Sequence, residues 1–123
     1  MNSIFSWVEI PVQDIERAAR FYGQLFSREL TITDMGPRRM ATIWFEPGQV
    51  GGSLLQAPGF EPGSQGAHVY LNAGRGSELE EMIERLRALG AEIIVPATLM
   101  GGDGRFATFR DTEGNTLSLF AEN

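Results

Sequence analysis

Residues 7–26 read WVEIPVQDIERAARFYGQLF, and this run decides the fold. A strand over about residues 3–12 opens it. Ile4, Ser6, Val8, Ile10 and Val12 fall on one face, and Phe5, Trp7, Glu9 and Pro11 on the other. The first set is largely aliphatic and suits packing against helices. The second puts a carboxylate among aromatic rings, which suits a pocket wall. Pro11 cannot donate to a sheet ladder, so the strand is expected to be weakly paired or at an edge there. Asp14 then supplies an N-cap and Glu16 a favourable charge in the first turn. Apolar residues at 15, 18, 19, 22, 25 and 26 form one helical face that ends near Ser27.

Working outward, a degraded copy of this strand-helix unit begins at His68 (HVYLNAGRGSELEEMIERLRALG). His68, Tyr70 and Asn72 alternate with Val69 and Leu71. Ser77 and Glu80 have the spacing of a capping box. Leu79, Met82, Ile83, Leu86 and Leu89 mark a buried face, and Gly90 supplies the stop. After the first helix, strands are expected at 28–34, 39–46 and 51–56, with Met35-Gly36-Pro37 and Glu46-Pro47-Gly48-Gln49 as turns. The glycines of the GGSLLQ strand permit close backbone approach. After the second helix, strands are expected at about 92–96, 105–110 and 115–121, with 97–104 (ATLMGGDG) a flexible loop. Residues 57–66 (APGFEPGSQG) carry no periodicity and join the halves. The order is β-α-β-β-β, linker, β-α-β-β-β.

The chain of 123 residues is one domain by size. Within it, module 1 covers about 1–57, the linker about 58–66 and module 2 about 67–123. A formal charge of −6, with the acidic residues dispersed, argues against a nucleic-acid backbone as partner. All ten basic residues are arginine, so no lysine is present for Schiff-base chemistry. The absence of cysteine excludes thiolate nucleophiles and disulfides and fits a reducing cytoplasm. No apolar run approaches the roughly 18 residues of a membrane span. The opening MNSIFSWVEI lacks a basic region ahead of an apolar one, so no signal peptide is expected.

The run EIPVQDIERAARFYGQLF, the VYLNA that opens the second half, and the closing FRDTEGNTLSLF together resemble the vicinal oxygen chelate superfamily. That group takes in glyoxalase I, bleomycin-resistance proteins and extradiol dioxygenases. The resemblance covers essentially the whole chain. It implies an α+β fold of two paired βαβββ modules forming a cup-shaped sheet with helices outside, and a homodimer. It also implies four equivalent metal-ligand places, on the first and last strand of each module. These match Trp7 and Ser53 in the first module and His68 and Ser118 in the second. Indole cannot ligate, and neutral hydroxyls are poor ligands for zinc, nickel or ferrous iron. No metal cofactor of the usual kind is therefore expected, though a weakly bound divalent ion on His68 and Glu9 stays open.

His68, the only histidine, reads as a general base or polar contact, because imidazole changes charge near neutral pH. The alternative is a remnant of an ancestral metal site, hydrogen-bonded to a neighbour. Glu9 among aromatics suits proton transfer; the alternative is an ion pair with an arginine, Arg110 being a candidate. Trp7, Tyr70 and Phe120 are candidate ligand-lining rings, whereas Trp44 reads as core. Asn72, Thr108, Ser53 and Ser118 are candidate hydrogen-bonding contacts. The function expected is binding of a small organic molecule in the cup, by a sequestering protein or a metal-free enzyme. The alternative is a divalent-metal lyase or dioxygenase with unusual ligands, and a third class is a module whose dimer surface is its function.

Overall fold

The computed structural model describes residues 3–102 and 104–123. The chain divides into two compact units, Met1–Pro62 and Gly63–Asn123. In the first, β1 (Trp7–Pro11), α1 (Ile15–Phe26), β2 (Ile32–Met35), β3 (Arg38–Trp44) and β4 (Gly51–Gln56) form a four-stranded sheet in the order β1-β4-β3-β2. In the second, β5 (Tyr70–Arg75), α2 (Glu78–Ala88), β6 (Glu92–Met100), β7 (Gly104–Arg110) and β8 (Thr116–Glu122) repeat that order as β5-β8-β7-β6. Each is a mixed sheet: the first strand lies parallel to the last, and the remaining pairs are antiparallel. A parallel neighbour requires a crossover, and the helix with its two following strands supplies it. The fold is α+β, two βαβββ modules.

Each helix lies against one face of its own sheet. Asp14 caps α1 by accepting the Arg17 N–H at 3.1 Å, and Ser27 closes the helix in a left-handed conformation (φ 55°). Ile15, Ala18, Tyr22 and Leu25 are buried together with Ile10 and Leu54 of the sheet and with Val12 just beyond β1. In the second unit Leu79, Met82, Ile83 and Leu86 of α2 are buried with Ala107, Phe109, Leu117 and Leu119. Burying such an aliphatic side chain contributes about 1.5–3 kcal/mol. Outside the helical side chains, Arg39 ties α1 to the β2-β3 hairpin through Glu16 (2.7 Å) and Asp34 (2.6 Å). Its guanidinium holds the Glu16 carboxyl below the usual carboxylate range. Among the described residues no helix is long and apolar enough to cross a membrane.

Three local expectations change. The stretch 97–104 is not all loop, because β6 continues through Pro96 to Met100 and pairs Thr98, Leu99 and Met100 with Phe106, Arg105 and Gly104. The strand tolerates proline by shifting register on both sides of Val95, and it lies at the sheet edge, where one missing N–H breaks no ladder. The capping box does not form: Ser77 has helical backbone angles and its side chain caps nothing. Glu80 is drawn instead to Arg105 at 2.7 Å, which lowers the Glu80 pKa, and Glu78 accepts the Arg75 N–H at 2.7 Å. The first strand begins at Trp7, leaving Ile4 and Phe5 exposed. Pro11 sits on the edge strand, as its missing donor requires.

Gly51 has a steric role. A Cβ there would lie 2.5 Å from the Trp44 carbonyl oxygen and 2.7 Å from the Trp7 indole. Gly51→Ala should therefore destabilise the protein by about 1–3 kcal/mol in urea unfolding, the cost of overpacking. Gly63→Ala, where the new methyl meets nothing within 4 Å, should stay within about 0.5 kcal/mol. Equal effects would show that the indole does not need that space.

Candidate functional site

Period-two alternation assigns a helix-free face to each sheet. In the first unit that face carries Trp7 and Glu9 of β1, Ser53 of β4, Arg38 and Thr42 of β3. Register pairs Glu9 with Ser53 and Trp7 with Gly51. The indole crosses the bare Gly51 backbone, and its Nε1–H donates to Ser53 Oγ at 3.2 Å. Ser53 is fully buried, whereas Trp7 is 37% exposed, with the Phe45 ring 6.3 Å away. One edge of the indole is thus tied down and the rest is partly exposed.

Glu9 is not a free carboxylate. Arg38 Nη2 donates to its Oε2 at 2.5 Å, and the Arg38 guanidinium lies 5.9 Å from the Phe60 ring. The ion pair anticipated for Glu9 therefore exists with a different arginine, since Arg110 pairs with Glu92 on the surface at 3.2 Å. Trp44 is also not a core residue: it is 44% exposed, with the Arg28 guanidinium 4.9 Å over its ring.

The second unit repeats the arrangement with different chemistry. His68 Nε2 lies 2.7 Å from Ser118 Oγ, and Ser118 Oγ lies 2.7 Å from Thr108 Oγ1. Ser118 is fully buried and Thr108 nearly so, whereas His68 is exposed. The Ser118 N–H donates to the Val69 carbonyl at 3.0 Å, which holds the strand-like approach of His68 against β8. Tyr70 packs on the imidazole at 5.0 Å between ring centres and meets the edge of Phe106 at 6.3 Å. Tyr70, Asn72 and Phe120 also line an open concavity of about 490 Å³ together with Arg75 and Met100. Asn72 spends its Oδ1 on the Gly74 N–H at 2.8 Å.

The structure thus brings Trp7 to Ser53, His68 to Ser118 and Thr108, and Tyr70 to Asn72 and Phe120. Arg38, Arg75 and Met100 were not legible as site residues. Their partners come from register and turn geometry, which residue type does not report. Phe106 was within reach, because it alternates with Thr108 in RFATFR and so shares its face.

A family model described as the Glyoxalase/Bleomycin resistance protein/Dioxygenase superfamily matches residues 4–119. The chain belongs to this superfamily. A glyoxylase-like domain-containing protein of Didymella fabae is 28% identical, over 97% of this chain and 94% of that protein. A glyoxylase/bleomycin resistance protein/dioxygenase domain from Frankia sp. EAN1pec superposes with a TM-score of 0.76 at 22% identity, covering 98% of this chain and 93% of that one. The fosfomycin resistance protein FosX from Listeria monocytogenes, in a monoclinic form at pH 6.5, gives 0.73 at 19% identity, covering 100% and 94%. At these identities the two structures share the fold.

Members of the superfamily often bind a divalent metal, and the donor set here does not fit one. The four positions that the resemblance gives as ligand places hold an indole, an imidazole and two hydroxyls, and in each module the ring is hydrogen-bonded to the serine. Among the described residues no three His, Cys, Asp or Glu side chains gather as a metal site would need. A mutant cycle tests the first pair. Trp7→Phe and Ser53→Ala should each cost about 0.5–1.5 kcal/mol in urea unfolding. The double variant should cost less than their sum. Strict additivity would show that the indole and the hydroxyl do not interact.

Proposed function

We propose that this superfamily member binds a small organic molecule on the helix-free sheet faces and does so without a chelated metal. It acts as a sequestering protein or as a metal-free enzyme, and as a homodimer in the cytoplasm. The observation that carries this reading is the pairing of a ring on or just before each module's first strand with a buried serine. Side chains at the ligand places satisfy one another, and the exposed surfaces left over are aromatic: Trp7 in one module, Tyr70 in the other. An aromatic wall with a few polar groups favours planar or partly apolar ligands. The concavity beside Tyr70 and Phe120 is of the size small-molecule sites have. Glu9 and His68 remain the groups proposed to meet the polar part of the ligand, Glu9 as a carboxylate shared with Arg38.

A thermal-shift screen checks this, using aromatic antibiotics, fosfomycin, glutathione adducts and small carboxylic acids, with and without EDTA. A ligand at a hundredfold excess over its Kd stabilises the folded state by about 2.7 kcal/mol. At least one class should raise the Tm clearly and equally with EDTA present, and Tyr70→Ala or Trp7→Ala should abolish the shift. Stabilisation that vanishes with EDTA would favour a metal-dependent lyase or dioxygenase. No stabilisation by any class would favour a protein whose surface, and not its pocket, is the function.

A further inference from the structure

Building on the reading of the second module's open face as a ligand surface, we infer that His68 is a hydrogen-bond donor there. Its ring is held in the Nδ1–H form by Ser118 and Thr108, and its partner is an acceptor oxygen on a planar ligand. Thr108 Oγ1 carries one hydrogen, and its sole hydrogen-bond partner among the described residues is Ser118 Oγ, at 2.7 Å. Thr108 is 6% exposed, so water is a poor alternative, and a buried hydroxyl hydrogen without an acceptor costs about 1–3 kcal/mol. Thr108 therefore donates to Ser118. The Ser118 hydroxyl, with no exposure at all, then has one place for its own hydrogen: His68 Nε2, at 2.7 Å.

A neutral imidazole that accepts at Nε2 carries its proton on Nδ1. The basic nitrogen is thus engaged with a buried hydroxyl, and the nitrogen left over is an N–H. This makes His68 ill-suited to take a proton from a ligand and well-suited to bind a carbonyl, carboxylate or phosphoryl oxygen. The Tyr70 ring, 5.0 Å from the imidazole and tilted 35° to it, provides the flat neighbour on which a planar ligand can lie. Ser118 and Thr108 are positioning residues that act through the imidazole. In the first module the polarity runs the other way, because Trp7 Nε1–H donates to Ser53 Oγ. The same serine place thus accepts from a ring in one module and donates to a ring in the other.

Nitrogen-15 NMR of the labelled full chain reads this directly, since the single histidine leaves no ambiguity of assignment. At about pH 8, Nδ1 should appear protonated and Nε2 unprotonated. Ser118→Ala, and Thr108→Val with its similar shape, should shift the ring toward the Nε2–H form. Thr108→Ser should retain the wild-type pattern, and backbone amide spectra establish that each variant is folded. A protonated Nε2 in the wild type, or folded Ser118→Ala and Thr108→Val variants with an unchanged ring, would overturn the assignment. Acetophenone, which has an acceptor oxygen, should move the Nδ1 resonance more than toluene at equal concentration. Equal effects, or none from either, would overturn the ligand class. The tautomer experiment uses no ligand, so its failure leaves the binding proposal standing, and a failed ligand screen leaves the tautomer result intact.

Discussion

One contact organises each module: a ring on or just before the first strand, hydrogen-bonded to a buried serine in the middle of the last. Trp7 to Ser53 and His68 to Ser118 are the two versions. A hydroxyl buried at the centre of a sheet must find a partner, because leaving it unpaired costs more than a typical hydrogen bond gains. Each serine therefore constrains what can reach it: a polar ring supplies a partner, and at Ser53 an aliphatic side chain in place of Trp7 would remove the donor that the indole N–H provides. The neighbouring residues follow from that constraint. Gly51 is small so that the indole can cross it, and Thr108 supplies the hydrogen that sets the direction of the second pair.

The duplication accounts for the framework, and divergence for the chemistry laid on it. Both sheets have the same strand order, and both place a threonine opposite the serine in register, Thr42 with Ser53 and Thr108 with Ser118. Two residues beyond each ring the modules part. One carries Glu9 held by Arg38, and the other carries Tyr70 stacked on His68. A superfamily fold that hosts unrelated activities permits this. The backbone pairing is fixed by alternation and by the helix packed on the far face, so the open faces can change without disturbing the core.

Much of this was readable before any coordinates. The strand-helix run at residues 7–26 and its copy at 68–90 carry period-two and period-3.6 patterns that burial enforces, and the helices lie where those patterns place them. The edge position of Pro11 follows from its missing donor. Features decided by competition between neighbours were not readable. Ser77 has the spacing of a cap, but Arg105 draws Glu80 away from it. Pro96 looks like the end of a strand, but an edge position lets β6 bulge and continue. Glu9 reads as free or paired with Arg110, and only the register of β3 shows that Arg38 reaches it. The resemblance in residue pattern named Trp7, Ser53, His68 and Ser118, and in the structure each ring meets the serine of its own module. That each ring lies within hydrogen-bonding distance of its serine needed atomic positions.

We propose that Trp7, Ser53, His68 and Ser118 are committed to one another in pairs and hold no chelate. Metal analysis of protein purified without an affinity tag, from medium supplemented with zinc, nickel, manganese and iron, tests it most directly. The account predicts far less than one ion per chain, and the same trace in His68→Ala. About one ion per chain that is lost in His68→Ala would contradict it.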